Sequence, residues 1–173
     1  MIHIQCYEKF YQPTESIKSK IDYIVNNLLK EHGGGRSFFD ALDEKIKDIS
    51  SNIDIIKDLM RGKSNSDIIT SGEFGDILYK LWKEKKIKCR SVLVVNGKLL
   101  TDNKPVHEWY PKEFDIRNKD FIFIDDSFFS GTTFRKIENF LKEYDSTIKY
   151  TQVVYDGSKI RNKKVKSFFR YYN

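Results

Sequence analysis

The stretch FIFIDDSFFSGTT, residues 121–133, decides how this chain is interpreted. Four apolar residues come first, then the adjacent acids Asp125 and Asp126, and after three more residues the group Ser130-Gly131-Thr132-Thr133. A short apolar run of this kind is typical of a strand that is buried on both faces of a parallel sheet. Two adjacent carboxylates repel each other, so their position at the end of such a strand needs a reason.

The residues after this acid pair predict a site for a phosphate. The sequence TFRKIENFLKEY indicates a helix that begins near Thr132 or Thr133, and the free N–H groups at a helix start favour an anion. Gly131 permits a tight turn, and Ser130 adds a hydroxyl. Because carboxylates accept hydrogen bonds from sugar hydroxyls, a ribose 5-phosphate would satisfy both halves of the stretch. The alternative is a solvated Asp-Asp turn followed by an ordinary helix cap.

The rest of the chain predicts an α/β fold, a mostly parallel sheet flanked by helices. The first third has helical periodicity, and after about residue 66 strands alternate with helices, which is the pattern of a parallel sheet. We expect strands at 67–70, 91–95, 121–124, 148–154 and 165–172 and a further one at 2–10, with helices over 14–32, 37–49, 51–62, 76–86 and from 132 onward.

Cap residues mark most of the predicted helix ends. Thr14 or Ser16 begins the first helix, and HGGGR at 32–36 fits a helix terminator better than a phosphate loop because no strand precedes it. Ser37 and Asp40 have the spacing of a capping box. The third helix is expected to begin near Ser51 or Asn52 and to stop at Gly62, and the aromatic tail SFFRYY is expected to be an edge strand.

Length and charge indicate one domain with anionic partners. The chain has 173 residues, a net charge of +6 and a pI of about 9.1, which favours nucleotides, phosphates or nucleic acid as ligands. A lysine-rich solubilising surface explains the same charge. Because the cations are interleaved with 25 acids, we expect no dominant basic stripe.

The two cysteines and the chain start favour a cytoplasmic protein. Cys6 and Cys89 lie far apart and form no CxxC pair, which fits reduced thiols better than a zinc site or a disulfide framework. The N-terminal sequence MIHIQCYEKF lacks the apolar core of a signal peptide, and no stretch approaches the ~20 apolar residues of a membrane span.

The 121–133 stretch resembles the phosphoribosyl-pyrophosphate (PRPP) site of the type I phosphoribosyltransferases and matches its pattern at each defined position. The resemblance, which spans about residues 66–155, implies that Asp125 and Asp126 are catalytic and hold the ribose hydroxyls directly or through Mg²⁺. It also implies a domain arrangement within residues 1–173: a helical hood at 1–65, a PRPP-binding core at 66–155 and a C-terminal hood strand within 156–173. The PRPP-binding residues would be Ser127, Phe128, Phe129, Ser130, Gly131, Thr132 and Thr133.

Two further segments resemble parts of that family's site. The first is a pyrophosphate loop made of Ser71, Gly72, Glu73, Phe74 and Gly75, although an ordinary strand-to-helix turn fits as well and the Glu73 carboxylate would repel pyrophosphate unless magnesium intervenes. The second is segment 96–119, which has no clear periodicity and lies where the family carries a mobile loop. Its cations are Lys98, Lys104, His107 and Lys112, each of which also fits a plain surface residue.

The resemblance implies transfer of a phosphoribosyl group from PRPP to a nucleobase-like acceptor, with release of pyrophosphate and with Mg²⁺ as cofactor. Its partners would be PRPP and a small base, with no membrane and with nucleic acid disfavoured, and the family's enzymes are often homodimers. Two alternatives stay open: a PRPP-binding or nucleotide-binding regulator without transfer activity, and a basic nucleic-acid-binding module, although the chain has no RNA-recognition or helix-turn-helix signature.

One position departs from the family's 6-oxopurine enzymes. Those enzymes usually have an acid at the third variable position after the acid pair, beside the purine ring, whereas this chain has Phe129. A phenylalanine accepts no proton, so we predict no efficient transfer to guanine, hypoxanthine or xanthine. Tyr155 and Asp156 follow the 148–154 strand in the region of the family's base pocket, and Asp156 is the acid that would replace the missing one.

Overall fold

The computed structural model describes residues 13–96, 105–158 and 164–170. In chain order its elements are α1 (Glu15–His32), α2 (Arg36–Ser51), α3 (Ile53–Leu59), β1 (Asp67–Ser71), α4 (Gly72–Lys83), β2 (Ser91–Val95), β3 (Trp109–Tyr110), β4 (Asp120–Phe128), α5 (Thr132–Lys142), β5 (Thr147–Asp156) and β6 (Val165–Arg170). The predicted helices and strands are confirmed in these parts of the chain, and the strand expected at 2–10 lies outside them.

The helix ends follow the cap signals with two exceptions, one of which is the end of α3 at Leu59, before the expected stop at Gly62. Thr14 caps α1 by accepting a hydrogen bond from the Ile17 N–H at 3.4 Å, and Asn52 caps α3. The capping box at Ser37 is wrong, because α2 begins at Arg36 with Gly35 as its cap. The Ser37 hydroxyl lies 3.1 Å from Nδ1 of His32 instead.

Within the described residues the sheet has six strands in the order β3-β2-β1-β4-β5-β6, and among these strands only β3 runs antiparallel to its neighbour. From β1 the chain passes through α4 to β2 on one side, and then returns past β1 to β4 on the other. The strand order therefore reverses between β1 and β4. In open α/β sheets, ligands bind at such a switch point, beyond the carboxyl ends of the strands.

Alternating strand residues fill two cores on opposite faces of the sheet. Ile68, Val94 and Ile122 pack with helices α1 to α4 on one face. Ile69 and Phe123 pack on the other face, against α5. Burial on both faces explains why these strands have continuous apolar sequences rather than alternating ones.

The C-terminal strand and segment 96–119 each contain a difference from expectation. β6 is the outer strand of the main sheet, paired in parallel with β5, so the segment that we assigned to the hood extends the core; it is an edge strand, as expected. The segment that lacked periodicity contains β3, whose two residues, Trp109 and Tyr110, pair with Val95 and Val94. Two residues are too few to produce a periodic pattern. The division of the chain into hood and core stays a prediction.

No helix within residues 13–96, 105–158 and 164–170 is both long enough and apolar enough to cross a bilayer.

Candidate functional site

The acid pair lies inside strand β4 rather than beyond its end. We expected the strand to stop at residue 124, but it continues to Phe128 and pairs Asp125 with Val153 and Phe128 with Asp156. Phe128 is 8% exposed and packs against Phe134 of α5. Burial of this aromatic side chain extends the strand, so the turn before α5 is confined to residues 129–131.

Three hydrogen bonds hold the acid pair. The Ser71 hydroxyl donates to Oδ2 of Asp125 at 3.4 Å, and the Asp126 N–H donates to Oδ1 of Asp125 at 3.0 Å. The Ser127 hydroxyl donates to Oδ1 of Asp126 at 3.0 Å. Burial raises the pKa of Asp125 well above its ordinary value, and the neighbouring Asp126 charge raises it further. A cation or a hydrogen-bond donor at this position would offset that unfavourable charge.

The predicted pyrophosphate loop is a direct strand-to-helix junction. Ser71 ends β1 and Gly72 begins α4, with no intervening loop residue. Gly72 has φ +61°, a left-handed conformation that favours glycine, and it allows the chain to turn at once. The Ser71 side chain does not cap α4, because its hydroxyl points to Asp125. The first N–H groups of α4 therefore lie beside the acid pair, where a helix start favours an anion.

Phe74 and Gly75 let α4 pack closely against the sheet at the β1–α4 junction. Phe74 is 5% exposed. A Cβ on Gly75 would come within 3.0 Å of Val94 Cγ1 and 3.2 Å of Thr70 Cγ2, so glycine lets α4 approach the sheet closely. Glu73 is exposed at the start of the helix. Of the five predicted loop residues, Ser71, Gly72, Glu73 and Phe74 line the cavity beside the acid pair.

A cavity of about 300 Å³ joins the acid pair to the β1–α4 junction and to helix α2. We call it the acid-pair cavity. Its acidic lining residues are Glu73, Asp125 and Asp126, and its cation is Lys47, which α2 contributes together with Ser50 and Ser51. Sequence reasoning missed Lys47 because nothing in a helical pattern shows which exposed residue faces a site 78 positions away. The buried α2 residues Leu42, Ile46 and Ile49 show which face packs on the core, but not what lies beside it.

The segment before α5 is organised by its own hydroxyls and by Arg135. Gly131 has φ +71° and caps α5. The hydroxyls of Ser130 and Thr132 lie 2.9 Å apart. Arg135 donates to the Ser130 carbonyl at 3.0 Å and to the Thr132 hydroxyl at 3.4 Å. Arg135 adds a positive charge to the predicted phosphate cradle, and sequence reasoning missed it because it lies beyond the motif.

Phe129 and the two predicted base-pocket residues form an aromatic and ionic cluster. The Phe129 side chain is 45% exposed, and its ring packs edge-on against Tyr155 with centroids 5.4 Å apart. Tyr155 is buried and stacks on Phe169. Asp156 is 3% exposed; it accepts from the Ser158 hydroxyl at 2.6 Å and pairs with Arg170 Nε at 3.1 Å.

The cations predicted for the mobile loop fall into two groups. Lys98 and Lys104 lie outside the described residues. His107 is exposed, with Nδ1 3.1 Å from the Pro105 carbonyl. Lys112 lines a second cavity of about 630 Å³ on the other side of the β1–α4 junction, and its ammonium lies 3.9 Å from the Trp109 ring centroid. Glu73, Asp76 and Glu108 also line this cavity.

The donor chemistry of the acid-pair cavity fits Mg²⁺. Adjacent carboxylates are the oxygen ligands that this ion prefers. Within the described parts of the chain, no group of three or more histidine, cysteine, aspartate or glutamate side chains is arranged to hold a metal by itself. A magnesium ion here would therefore take most of its ligands from a bound phosphate compound and water.

No protein-family model matches this chain, and no curated protein matches it. Among solved structures it is similar to an adenine phosphoribosyltransferase from Thermoanaerobacter pseudethanolicus, at 11% identity over 75% of this chain and 83% of that chain, with a TM-score of 0.45. It is also similar to a hypoxanthine phosphoribosyltransferase from Staphylococcus aureus, at 16% identity over 92% and 77% of the two chains, with a TM-score of 0.41.

A third similar structure is a hypothetical protein from Neisseria gonorrhoeae with bound ppGpp, at 15% identity over 73% and 81% of the two chains, with a TM-score of 0.43. The first two of these structures are phosphoribosyltransferases. All three lie below 20% identity and below a TM-score of 0.5, so the function proposed for this chain rests on its own residues.

Proposed function

We propose that this protein binds PRPP with Mg²⁺ and transfers its phosphoribosyl group to a nucleobase-like acceptor, releasing pyrophosphate. One observation carries the proposal: Asp125 of β4 meets Ser71 of β1 at the switch point of the sheet, directly beside the start of α4. The 121–133 motif supplies the rest of a ribose-phosphate site, since α5 starts at Thr132.

The acid pair and the start of α5 would hold the ribose 5-phosphate. Asp125 and Asp126 accept hydrogen bonds from the ribose hydroxyls, which stabilise the carboxylates against their mutual repulsion. The N–H groups at the start of α5 and the Thr132 and Thr133 hydroxyls bind the 5-phosphate. Arg135 already contacts this segment, and its charge attracts the phosphate.

The acid-pair cavity would hold the pyrophosphate, with Lys47 and the first N–H groups of α4 as its donors. Lys47 contributes the positive charge that this part of the site needs, because Glu73 and the acid pair are all negative. Mg²⁺, when bound, neutralises part of the charge on the leaving pyrophosphate. Asp125 and Asp126 would hold it together with oxygens of PRPP.

Catalysis would consist mainly of orientation and electrostatics. The bond from C1 of the ribose to the pyrophosphate oxygen breaks, a bond from C1 to a ring nitrogen of the acceptor forms, and the proton of that nitrogen is released. Carboxylates held near the ribose stabilise the positive charge that develops on the sugar ring. Lys47 stabilises the negative charge that develops on the leaving group.

The alternative function is a PRPP-binding regulator that does not transfer the sugar. The observation that favours it is Phe129, which stands where the family's 6-oxopurine enzymes have an acid and whose ring packs against Tyr155. Such a protein would bind PRPP at the same acid pair and release no pyrophosphate with any acceptor.

The test is turnover by the purified protein with PRPP, Mg²⁺ and a panel of purine and pyrimidine bases, followed by pyrophosphate release. The transferase proposal expects release with at least one base, and loss of that release in Asp125→Asn/Asp126→Asn. PRPP binding without release for any base would support the regulator. Absence of both binding and release would overturn the proposed function.

A further inference from the structure

Most of the net positive charge of this chain lies in one segment. Residues 80–90, KLWKEKKIKCR, contain six cations and one acid, so they carry five of the six net charges of the chain. The expectation that no basic stripe dominates is therefore wrong for this segment. All six cations are exposed, and we call them the basic segment: Lys80, Lys83, Lys85, Lys86, Lys88 and Arg90.

The basic segment lies at the opposite edge of the sheet from the candidate site. It covers the last turn of α4 and the connection that leads into the beginning of β2. The acid pair and the β1–α4 junction lie toward the carboxyl ends of the parallel strands. The basic segment therefore lies at the other end of the strands and does not contact a ligand in the acid-pair cavity. Its positive charge needs another explanation.

The fold holds this segment in a defined shape. Ile87 is 5% exposed, so it anchors the connection while Lys86 and Lys88 on either side of it are exposed. The Lys86 N–H donates to the Leu81 carbonyl at 2.8 Å, and the Arg90 N–H donates to the Ser66 carbonyl at 2.9 Å. The cations therefore project from a backbone that is tied to α4 and to the chain before β1.

Within residues 80–90 there is one acid, Glu84; the hydrogen bond from Lys86 and the charges of Lys86 and Lys80 lower its pKa. Arg90 pairs with the buried Asp67 at 2.9 Å, and Lys86 pairs with Glu84 at 2.6 Å. Within the described residues, no carboxylate lies within 4.0 Å of the remaining lysines of the basic segment, Lys80, Lys83, Lys85 and Lys88. Six cations and a single acid within eleven residues leave a net repulsion among the lysines, and a polyanion would relieve that repulsion.

We propose that the basic segment binds the phosphodiester backbone of a nucleic acid. A phosphate backbone needs closely spaced cations and no apolar anchor. Partly exposed Trp82 and Tyr79 lie beside Lys83, whose ammonium is 5.8 and 5.9 Å from their ring centroids, so aromatic rings accompany the charges. The proposal takes up the nucleic-acid-binding alternative that the sequence left open, and it does not depend on PRPP chemistry.

Other anionic partners fit the surface less well. Protein interfaces are usually anchored by exposed aromatic or apolar side chains, and amphipathic membrane surfaces need an apolar face. Among the described residues the large exposed hydrophobic side chains are Tyr23 and Phe129, and neither belongs to the basic segment. An acidic polypeptide and an anionic vesicle therefore serve as competing probes.

The experiment measures binding of fluorescent RNA to the whole protein by anisotropy. The probes are a single strand and a duplex of about 20 nucleotides, in about 50 mM salt and then at rising salt. The test variant is Lys80→Gln/Lys83→Gln/Lys85→Gln/Lys88→Gln. The control, Lys20→Gln/Lys30→Gln/Lys45→Gln/Lys57→Gln, removes the same charge from exposed positions on α1, α2 and α3.

We expect the test variant to bind at least about tenfold more weakly than the wild type, and the control to stay within about twofold. The dependence of log K on log salt should have a slope near −3 for the single strand in the wild type, because four contacts contribute about −0.7 each. PRPP should not compete. Lack of RNA binding by the wild type, equal loss in the two variants, displacement by PRPP, or binding of polyglutamate or phosphatidylserine vesicles in place of RNA would each overturn the proposal.

Discussion

The Ser71 hydroxyl donates a hydrogen bond to the Asp125 carboxylate, although the two residues are 54 positions apart in the chain. β1 and β4 are adjacent and parallel, with Asp67 beside Phe121 and Ile69 beside Phe123. The same offset of 54 residues brings Ser71 level with Asp125. The contact therefore follows from the strand order, and it joins the β1–α4 junction to the acid pair in one cleft.

The raised pKa of Asp125 predicts that its ionised form destabilises the protein. Because the folded-state pKa lies above the unfolded one, the stability of the wild type falls as pH rises from about 4 through the folded-state pKa, and is constant above it. Asp125→Asn cannot ionise. Its melting temperature should therefore exceed that of the wild type at pH 7, and the difference should disappear near pH 3.

Thermal melts of the two proteins between pH 3 and pH 8 measure this difference. Glu44→Gln, at an exposed position of α2, serves as the control and should show no comparable gain. A variant Asp125→Asn that is less stable than the wild type at pH 7 would show that the carboxylate is stabilised by its hydrogen bonds rather than destabilised by burial.

Lys47 is predicted to contribute to PRPP affinity through the pyrophosphate. Lys47→Gln removes the cation of the acid-pair cavity and keeps most of the side-chain length. A hydrogen bond to a charged group contributes about 1.5–3 kcal/mol, so we expect roughly tenfold weaker PRPP binding.

Lys45→Gln is the matched control for Lys47→Gln. Lys45 lies on the same helix, but its ammonium pairs with Asp48 at 3.4 Å and it lines a separate groove between the N-terminal helices. The binding of ribose 5-phosphate, which lacks pyrophosphate, should be unchanged by both variants. Equal PRPP affinity in the two variants would show that Lys47 does not bind the pyrophosphate.

We predict that the packing of the Phe129 ring requires a glycine at position 157. A Cβ at this position would lie 2.6 Å from the Phe129 ring and 2.9 Å from the Tyr155 hydroxyl. Gly157→Ala should therefore reduce the free energy of unfolding by about 1–3 kcal/mol. In the Phe129→Ala background the same change should cost less, giving a coupling of at least ~0.5 kcal/mol in urea titrations. A neutral Gly157→Ala would show that the Phe129 ring simply moves into solvent.

The identity of Phe129 predicts which bases are not substrates. The 6-oxopurine enzymes of the family that this chain resembles usually have an acid beside the purine ring, whereas the corresponding residue here is Phe129. Ser158 and Arg170 engage the carboxylate of Asp156, so we predict that Asp156 does not replace that acid. At saturating PRPP and Mg²⁺ we expect no efficient nucleotide formation from guanine, hypoxanthine or xanthine. Robust formation from any of the three would contradict this prediction.

Those parts of the fold that depend on burial were predictable from the sequence. The runs at 67–70, 91–95 and 121–124 are strands because they are covered on both faces, and such strands have continuous apolar sequences. The start of α5 at Thr132 followed from the helical spacing and the glycine before it. The extension of β4 to Phe128 was not predictable, because acids and a serine interrupt the apolar run and only the pairing with β5 makes them strand residues.

The composition of the site was harder to predict than the motif at its centre. Asp125 and Asp126 were predicted from their place after an apolar run, and Ser71 from the resemblance of residues 71–75 to a pyrophosphate loop. Lys47 reaches the cavity from α2, and that contact depends on how the N-terminal helices pack on the sheet. Packing of this kind leaves no local signal, because an exposed lysine on a helix has the same pattern whether or not it faces a site.

Calorimetric titration with PRPP in the presence of Mg²⁺ tests the central claim most directly, with the wild type compared with Asp125→Asn/Asp126→Asn. The double variant keeps the shape of the acid pair and removes its charge, and its fold is checked by circular dichroism. We predict saturable binding to the wild type and at least about tenfold weaker binding to the variant, since charged hydrogen bonds contribute about 1.5–3 kcal/mol each. Unchanged affinity in a folded variant, or no PRPP binding by the wild type, would contradict the assignment of this acid pair as a ribose-phosphate site.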